Sequence, residues 1–117
     1  MNDVELNLSS LREIADGNQQ FISAILEKVY SNLQTYTEEI IALFRANRLE
    51  EMGKMAHKLK SSTVYLGSRK LDEVLNFLEK TDKASFSSQE IASKIDELCC
   101  LLPIILKKIE KEIAKLK

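Results

Sequence analysis

Residues 49–67 read LEEMGKMAHKLKSSTVYLG, and their apolar positions recur at steps of three and four. Advancing about 100° per residue around a helix axis gathers these positions into an arc of about 120°, which is the width of a core-facing stripe. The positions are Leu49, Met52, Met55, Ala56, Leu59, Thr63 and Leu66. The stretch therefore predicts an amphipathic helix that ends near Gly67, a residue suited to the left-handed position after a helix.

The single histidine of the chain, His57, lies about 140° from the middle of that arc, so we expect its imidazole to be exposed. Residues three and four positions away are neighbours on a helix surface. For His57 these include Gly53, Lys60 and Ser61, and Val64 follows one turn later. The exposed imidazole is thus expected to have an ammonium, a small hydroxyl and a bare glycine around it.

The composition favours a single all-α domain. The chain has 117 residues, enough to bury a core without disulfides or metals, and Gly (3) and Pro (1) are scarce. Four long amphipathic segments with short connections predict an antiparallel up-down four-helix bundle with a short extra N-terminal helix. We expect residues 1–8 to form a loose lead-in and residues 9–117 to form the bundle.

Capping patterns predict where several helices begin. A serine or asparagine followed three positions later by glutamate can form a capping box, in which each residue bonds the other's backbone N–H. Such pairs occur at Ser10–Glu13, Asn47–Glu50 and Ser87–Glu90. They predict the starts of the first helix, of the third helix, which carries His57, and of the fifth.

The other boundaries follow from apolar stripes and helix breakers. The break Asp16-Gly17-Asn18 precedes a second helix that the stripe predicts over about residues 18–46. The fourth helix is expected to start after Ser68 and to end in the polar stretch 80–85. Pro103 lies inside the fifth helix and predicts a kink just before it.

Charge and hydropathy argue against several classes of partner. With 17 basic and 18 acidic residues the net charge is −1, so the chain lacks the basic field that is typical of nucleic-acid binding proteins. No apolar run approaches the roughly 18 residues that cross a bilayer, and the acidic first residues do not resemble a secretory signal. We expect a cytoplasmic monomer without membrane insertion.

Two adjacent cysteines, Cys99 and Cys100, lie in the fifth predicted helix. Their spacing forms neither a disulfide framework nor a metal-ligand pattern, which fits a reduced compartment. We expect both to be core or boundary residues of the helix.

The surroundings of His57 limit the chemistry open to it. A zinc site or a hydrolytic triad needs partner residues that the spacing does not bring beside it, and no glycine-rich phosphate loop is present. Covalent phosphoryl carriage needs less. It needs an imidazole nitrogen in solvent, a cation such as Lys60 beside the phosphoryl oxygens, and small neighbours such as Gly53 and Ser61 that let another protein approach. A surface histidine without a role is the open alternative.

Residues 56–67 resemble the signature of histidine-containing phosphotransfer (HPt) domains, which reads approximately A-H-x-L-K-G-S-S-x-x-L-G. The matching residues are Ala56, His57, Leu59, Lys60, Ser62, Leu66 and Gly67. The order of a short first helix, a long second helix and a histidine-bearing third helix is also similar, so the resemblance extends over most of the chain.

The resemblance implies that His57 is the phospho-accepting residue, through Nε2, and that Lys60 helps to hold the phosphoryl group. It implies that the receiver domain of a response regulator docks over the second and third helices, with Gly53, Ser61 and Val64 in the docking surface. That receiver would supply the Mg²⁺ and the phospho-aspartate, so the chain itself needs no metal or other cofactor. The chain is then a phosphoryl carrier in a phosphorelay, not an enzyme with kinase activity, and a hybrid sensor histidine kinase is a further expected partner.

One position departs from the pattern, because Ser61 stands where the family usually has glycine directly after the lysine. The serine hydroxyl could bond the phosphoryl group or crowd the receiver, so this position bears on partner choice and transfer rate. The alternative function is a helical interaction module that binds a receiver or another signalling partner without being phosphorylated.

Overall fold

The protein is all-helical, as the sequence predicts. A computed structural model describes residues 4–81 and 86–117, and within them it contains five α-helices, one 3₁₀ turn and no strand. The helices are α1 (Ser9–Ala15), α2 (Gln19–Arg45), α3 (Leu49–Thr63), α4 (Arg69–Glu79) and α5 (Ser88–Lys115), and the 3₁₀ turn (Val64–Leu66) follows α3.

The two longest helices set the size of the molecule. α2 and α5 have 27 and 28 residues, which at about 1.5 Å per residue gives about 40 Å each. The longest dimension of the molecule is 44 Å. α2 contacts α3 and α5, α4 contacts the same two helices, and α1 packs against α2 and the 3₁₀ turn. This arrangement is compatible with a four-helix bundle that has an extra N-terminal helix.

The core consists mainly of leucine and isoleucine from the stripe positions of all five helices. The largest fully buried side chains are Leu11, Leu26, Leu33, Ile40, Met52, Leu59, Leu66, Leu71, Leu75, Leu78, Ile91 and Leu98. Each such side chain contributes about 1.5–3 kcal/mol by leaving water. The buried stripe fixes how α3 is rotated about its axis, and this rotation decides which α3 side chains face solvent.

The predicted capping box of α5 is confirmed. The Ser87 hydroxyl accepts a hydrogen bond from the Glu90 backbone N–H at 3.1 Å, and the Glu90 carboxylate accepts from the Ser87 N–H at 3.0 Å. Pro103 lies inside α5, which extends from Ser88 to Lys115. α4 ends at Glu79, and residues 82–85 of the polar stretch predicted to end it lie outside the described residues.

The other two predicted capping boxes are wrong. α1 begins at Ser9 after the N-cap residue Leu8, which makes no side-chain cap, and the Ser9 N–H donates to the Asn7 side chain at 3.1 Å. α3 begins at Leu49, and Asn47 has a left-handed φ of 58° two residues earlier. Asparagine tolerates this backbone conformation better than most residues, so Asn47 turns the chain between α2 and α3 instead of capping α3.

Residues 4–8, the described part of the expected lead-in, contact the rest of the molecule. Leu8 is buried, and the Asn7 N–H donates to the Leu66 carbonyl at 2.7 Å. The segment is not helical, yet Leu8 belongs to the core and Leu6 packs against it. The N-terminal segment is therefore part of the fold from Val4 onwards.

The prediction that Cys99 and Cys100 are core or boundary residues of the helix is also wrong, because both are exposed free thiols. The inward stripe of α5 passes through Leu98, Leu101 and Ile105, which are all buried. Steps of three and four from Leu98 follow the core-facing side of the helix, and the two cysteines fall between them on its outer side.

A buried hydroxyl in α2 supports a stability prediction. Among buried side chains of the described residues, Thr37 Oγ1 is the one polar atom without a hydrogen-bond partner. Thr37→Val keeps the shape and removes the desolvated hydroxyl, so we expect it to stabilise the protein by about 1 kcal/mol. Urea unfolding measures this. Thr63→Val is the matched control, since Thr63 is equally buried but its hydroxyl donates to the Lys60 carbonyl, and we expect no gain there. Equal gains for both variants would contradict this explanation.

Candidate functional site

His57 lies on the outer face of α3, with its side chain 62% exposed. Its helix neighbours Ala56 and Leu59 are fully buried. The helical stripe thus directs the imidazole away from the core, which is the orientation that the sequence predicts.

A carboxylate from α4 connects His57 to Lys60. His57 Nδ1 lies 2.7 Å from Glu79 Oε2, and the Lys60 ammonium donates to Glu79 Oε1 at 2.5 Å. The same ammonium donates to Asn76 Oδ1 at 2.8 Å. We call these four residues, His57, Lys60, Asn76 and Glu79, the histidine cluster. Two of its members come from α3 and two from α4.

The charge of Glu79 bears on which ring nitrogen of His57 donates the hydrogen bond between them. The hydrogen bond from Lys60 is the largest effect on the pKa of Glu79 and lowers it; partial burial opposes this, and the bond from His57 lowers the pKa further. An ionised carboxylate can only accept hydrogen bonds, so Nδ1 of His57 must donate. In the neutral tautomer with this bond the proton sits on Nδ1, and the free lone pair is that of Nε2.

An open cleft adjoins the histidine cluster between α3 and α4. Its lining residues are Lys60, Ser61, Val64, Asp72 and Asn76. Burial raises the pKa of Asp72, and the charge of Lys60 opposes that effect. When both carboxyls are ionised, Asp72 and Glu79 bring two negative charges near one ammonium, so the region is not a preformed anion site.

The prediction that Gly53 belongs to the exposed docking surface is wrong. Gly53 is buried where α3 meets the end of α4. A Cβ atom on Gly53 would lie 2.9 Å from the Glu79 carbonyl oxygen. The absence of a side chain at Gly53 thus makes room for α4 and not for an incoming protein. It allows the end of α4 to approach α3 so closely that Glu79 reaches His57.

Ser61 and Val64 both lie at the surface, where the sequence places them. Val64 is 59% exposed, and Ser61 is exposed one turn after His57. The Ser61 hydroxyl donates to the His57 backbone carbonyl at 3.1 Å. This bond to the preceding turn is a common one for serine in helices, and it directs the hydroxyl towards the backbone.

Sequence reasoning missed Glu79 and Asn76. The sequence does contain a pattern that could have indicated them. Asp72, Asn76 and Glu79 are spaced by four and three residues beside the apolar stripe of α4. This spacing puts polar side chains in one line on a helix. The line identifies a polar edge of α4 but does not identify the residues of α3 that it meets.

Other kinds of site find little support in the described part of the chain. No group of three or more His, Cys, Asp or Glu side chains there could hold a metal ion. Among the same residues, no helix combines the length and the apolar character that crossing a membrane requires. Comparison of the chain with protein-family models, with curated proteins and with solved structures finds no match.

The lowered pKa of Glu79 leads to a pH prediction. A carboxyl whose pKa is lower in the folded state adds stability above its unfolded pKa, about 4.3 for glutamate, and loses that contribution as the pH falls through the folded value. We therefore expect the wild type to be more stable than Glu79→Gln at neutral pH and the difference to vanish in acid. Urea midpoints across this pH range test the prediction. A difference that stays constant with pH would show that the Glu79 charge contributes nothing to stability.

Proposed function

We propose that this chain is a histidine-containing phosphotransfer domain with the four-helix bundle of that family. In this proposal His57 accepts a phosphoryl group from a receiver-domain aspartate and passes it to another. The observation that carries the proposal is the histidine cluster, in which a carboxylate holds Nδ1 and leaves Nε2 of an exposed imidazole free. The sequence resemblance of residues 56–67 to that family also supports it.

The arrangement suits nucleophilic attack by Nε2. The lone pair of Nε2 attacks the phosphorus of an aspartyl phosphate, the new N–P bond forms, and the bond from phosphorus to the aspartate oxygen breaks. The aspartate leaves as a carboxylate with the electron pair of that bond. The phosphorylated ring still carries its Nδ1 proton and hence a positive charge, which the negative charge of the Glu79 carboxylate stabilises. Transfer to the next receiver is the reverse of this step.

Lys60 supplies the positive charge nearest to the phosphoryl group in this proposal. The added group brings about two negative charges at neutral pH, and Lys60 already shares its charge with Glu79. One shared ammonium does not neutralise the phosphoryl group, so a cation supplied by the partner would stabilise it further. The Mg²⁺ of a receiver domain fits this need, and the chain then requires no cofactor of its own.

Exposed apolar side chains support the proposal that another protein binds this chain. Ile14, Phe21 and Val64 are 63%, 43% and 59% exposed. They lie on α1, the first turn of α2 and the 3₁₀ turn, and α1 contacts both of the other elements. We propose that a receiver docks over this end of α2 and α3, with Ser61 and Val64 at its edge. The second partner in the relay is another receiver or a hybrid sensor histidine kinase, in the cytoplasm.

Phosphoryl uptake tests the proposal directly. The purified chain is incubated with a panel of ³²P-phosphorylated receiver domains and Mg²⁺, and the label on the chain is followed with time. We expect label that is labile in acid and stable in base, as phosphohistidine is, and its return to unphosphorylated receivers. Receivers that bind the chain but never label it would overturn the carrier proposal in favour of a helical interaction module.

A further inference from the structure

Lys60 is held at two points by α4. Its ammonium donates to Asn76 at 2.8 Å and to Glu79 at 2.5 Å, and these two acceptors lie three residues apart on one face of the helix. A lysine side chain is long and flexible, and its ammonium has three donors. Two of the three are committed to α4, so the position of the ammonium and the direction of the third donor are both defined.

The two acceptors differ in what they do to the charge of Lys60. Glu79 is a carboxylate and offsets the positive charge, whereas the Asn76 amide carries no net charge. Asn76 therefore fixes the ammonium without neutralising it. With Glu79 as the sole anchor, the flexible lysine could pivot about one carboxylate oxygen.

We propose that Asn76 is a positioning residue that holds the Lys60 ammonium in place for a phosphoryl group on Nε2 of His57. This inference rests on the proposed phosphocarrier function. Electrostatic stabilisation is most effective when the charged group is already placed before the reaction, because no reorganisation is then needed. Asn76 is exposed, so its replacement should leave the core unchanged.

Phosphoramidate provides a test that needs no partner protein. Nε2 of His57 attacks its phosphorus, the P–N bond breaks, and the leaving nitrogen, already protonated, departs as ammonia. We expect Asn76→Ala to slow labelling of His57 by about fivefold. Asn76→Asp keeps an acceptor but adds a negative charge, so it should be at least as slow. Asp72→Asn is the matched control, since Asp72 lies in the same cleft and acts on Lys60 through charge alone; it should not be slower than the wild type.

A double-mutant cycle separates positioning from general structural support. Lys60→Ala alone should slow labelling, and adding Asn76→Ala to it should have no further effect, because the two residues act through one ammonium. The His57 tautomer, read by ¹⁵N NMR, and the unfolding midpoint should stay at wild-type values in Asn76→Ala.

The outcomes distinguish this inference from the proposed function. Equal labelling rates for the wild type and Asn76→Ala overturn the role of Asn76 and leave the phosphocarrier proposal standing. A further loss in the double variant, or a changed His57 tautomer, also overturns it. If the wild type takes label neither from phosphoramidate nor from any receiver, the proposed function fails and this inference with it.

Discussion

His57→Gln is expected to abolish phosphoryl uptake, with at least a 100-fold loss of label from phosphorylated receivers, because the attacking nitrogen is removed outright. The lone pair of a glutamine amide nitrogen is delocalised into its carbonyl and cannot attack phosphorus. The amide N–H can still donate to Glu79, and residue 57 is exposed, so the fold should survive the change. Transfer of ³²P and the ³¹P NMR signal of phosphohistidine measure the effect.

Lys58→Gln is the matched control for this loss. Lys58 is the next residue of α3, is exposed, and has its ammonium 5.1 Å from the centre of the Tyr36 ring. It lies outside the histidine cluster, so we expect labelling within about twofold of the wild type. Label that persists in His57→Gln would place the phosphoryl group elsewhere. Base-labile label would indicate an acyl phosphate on a carboxylate.

Gly67→Ala is expected to destabilise the protein by about 2–4 kcal/mol, combining backbone strain with a steric clash. Gly67 has a left-handed φ of 62°, and a Cβ atom there would lie 2.6 Å from the Asn7 carbonyl oxygen. Asn7 cannot withdraw freely, because its N–H donates to the Leu66 carbonyl and the next residue, Leu8, is buried. The urea or thermal midpoint measures the loss.

Gly17→Ala separates the two causes. Gly17 has a similar left-handed φ of 76°, yet a Cβ atom there would meet nothing within 4 Å. We expect a loss of about 1 kcal/mol from backbone strain alone. Equal losses for the two variants would show that the contact between Gly67 and Asn7 adds nothing to the strain.

The helical elements could be predicted from the sequence because each depends on residues close together in the chain. Apolar steps of three and four predict the second, third and fifth helices, and the predicted break at Asp16-Gly17-Asn18 lies between the first two helices. Its left-handed residues are Asp16 and Gly17. The exposure of His57 follows from the same period. The errors at Asn47 and Ser10 arose because a capping pattern describes side-chain types and not the backbone angles that they adopt.

The partners of His57 could not be predicted in the same way. Glu79 lies 22 residues after His57, and the two meet because α3 and α4 pack closely side by side. Gly53 permits that approach at the end of α4, so a residue expected to serve an external partner serves the internal packing instead. A helical wheel of α3 shows that residue 53 has no side chain, but it does not show that the backbone of α4 occupies the space beside it.

Helical periodicity is a local property, so the amino-acid sequence is enough to predict an all-helical protein, the positions of most helices and a solvent-facing His57. The bond of Glu79 to His57 Nδ1, and the bonds of Asn76 and Glu79 to Lys60, depend instead on how α3 and α4 pack together. The hydrogen bond from the Asn7 N–H to the Leu66 carbonyl of the 3₁₀ turn likewise depends on tertiary packing. These contacts join segments far apart in the chain, and they depend on how closely packed helices approach one another, which local periodicity does not encode.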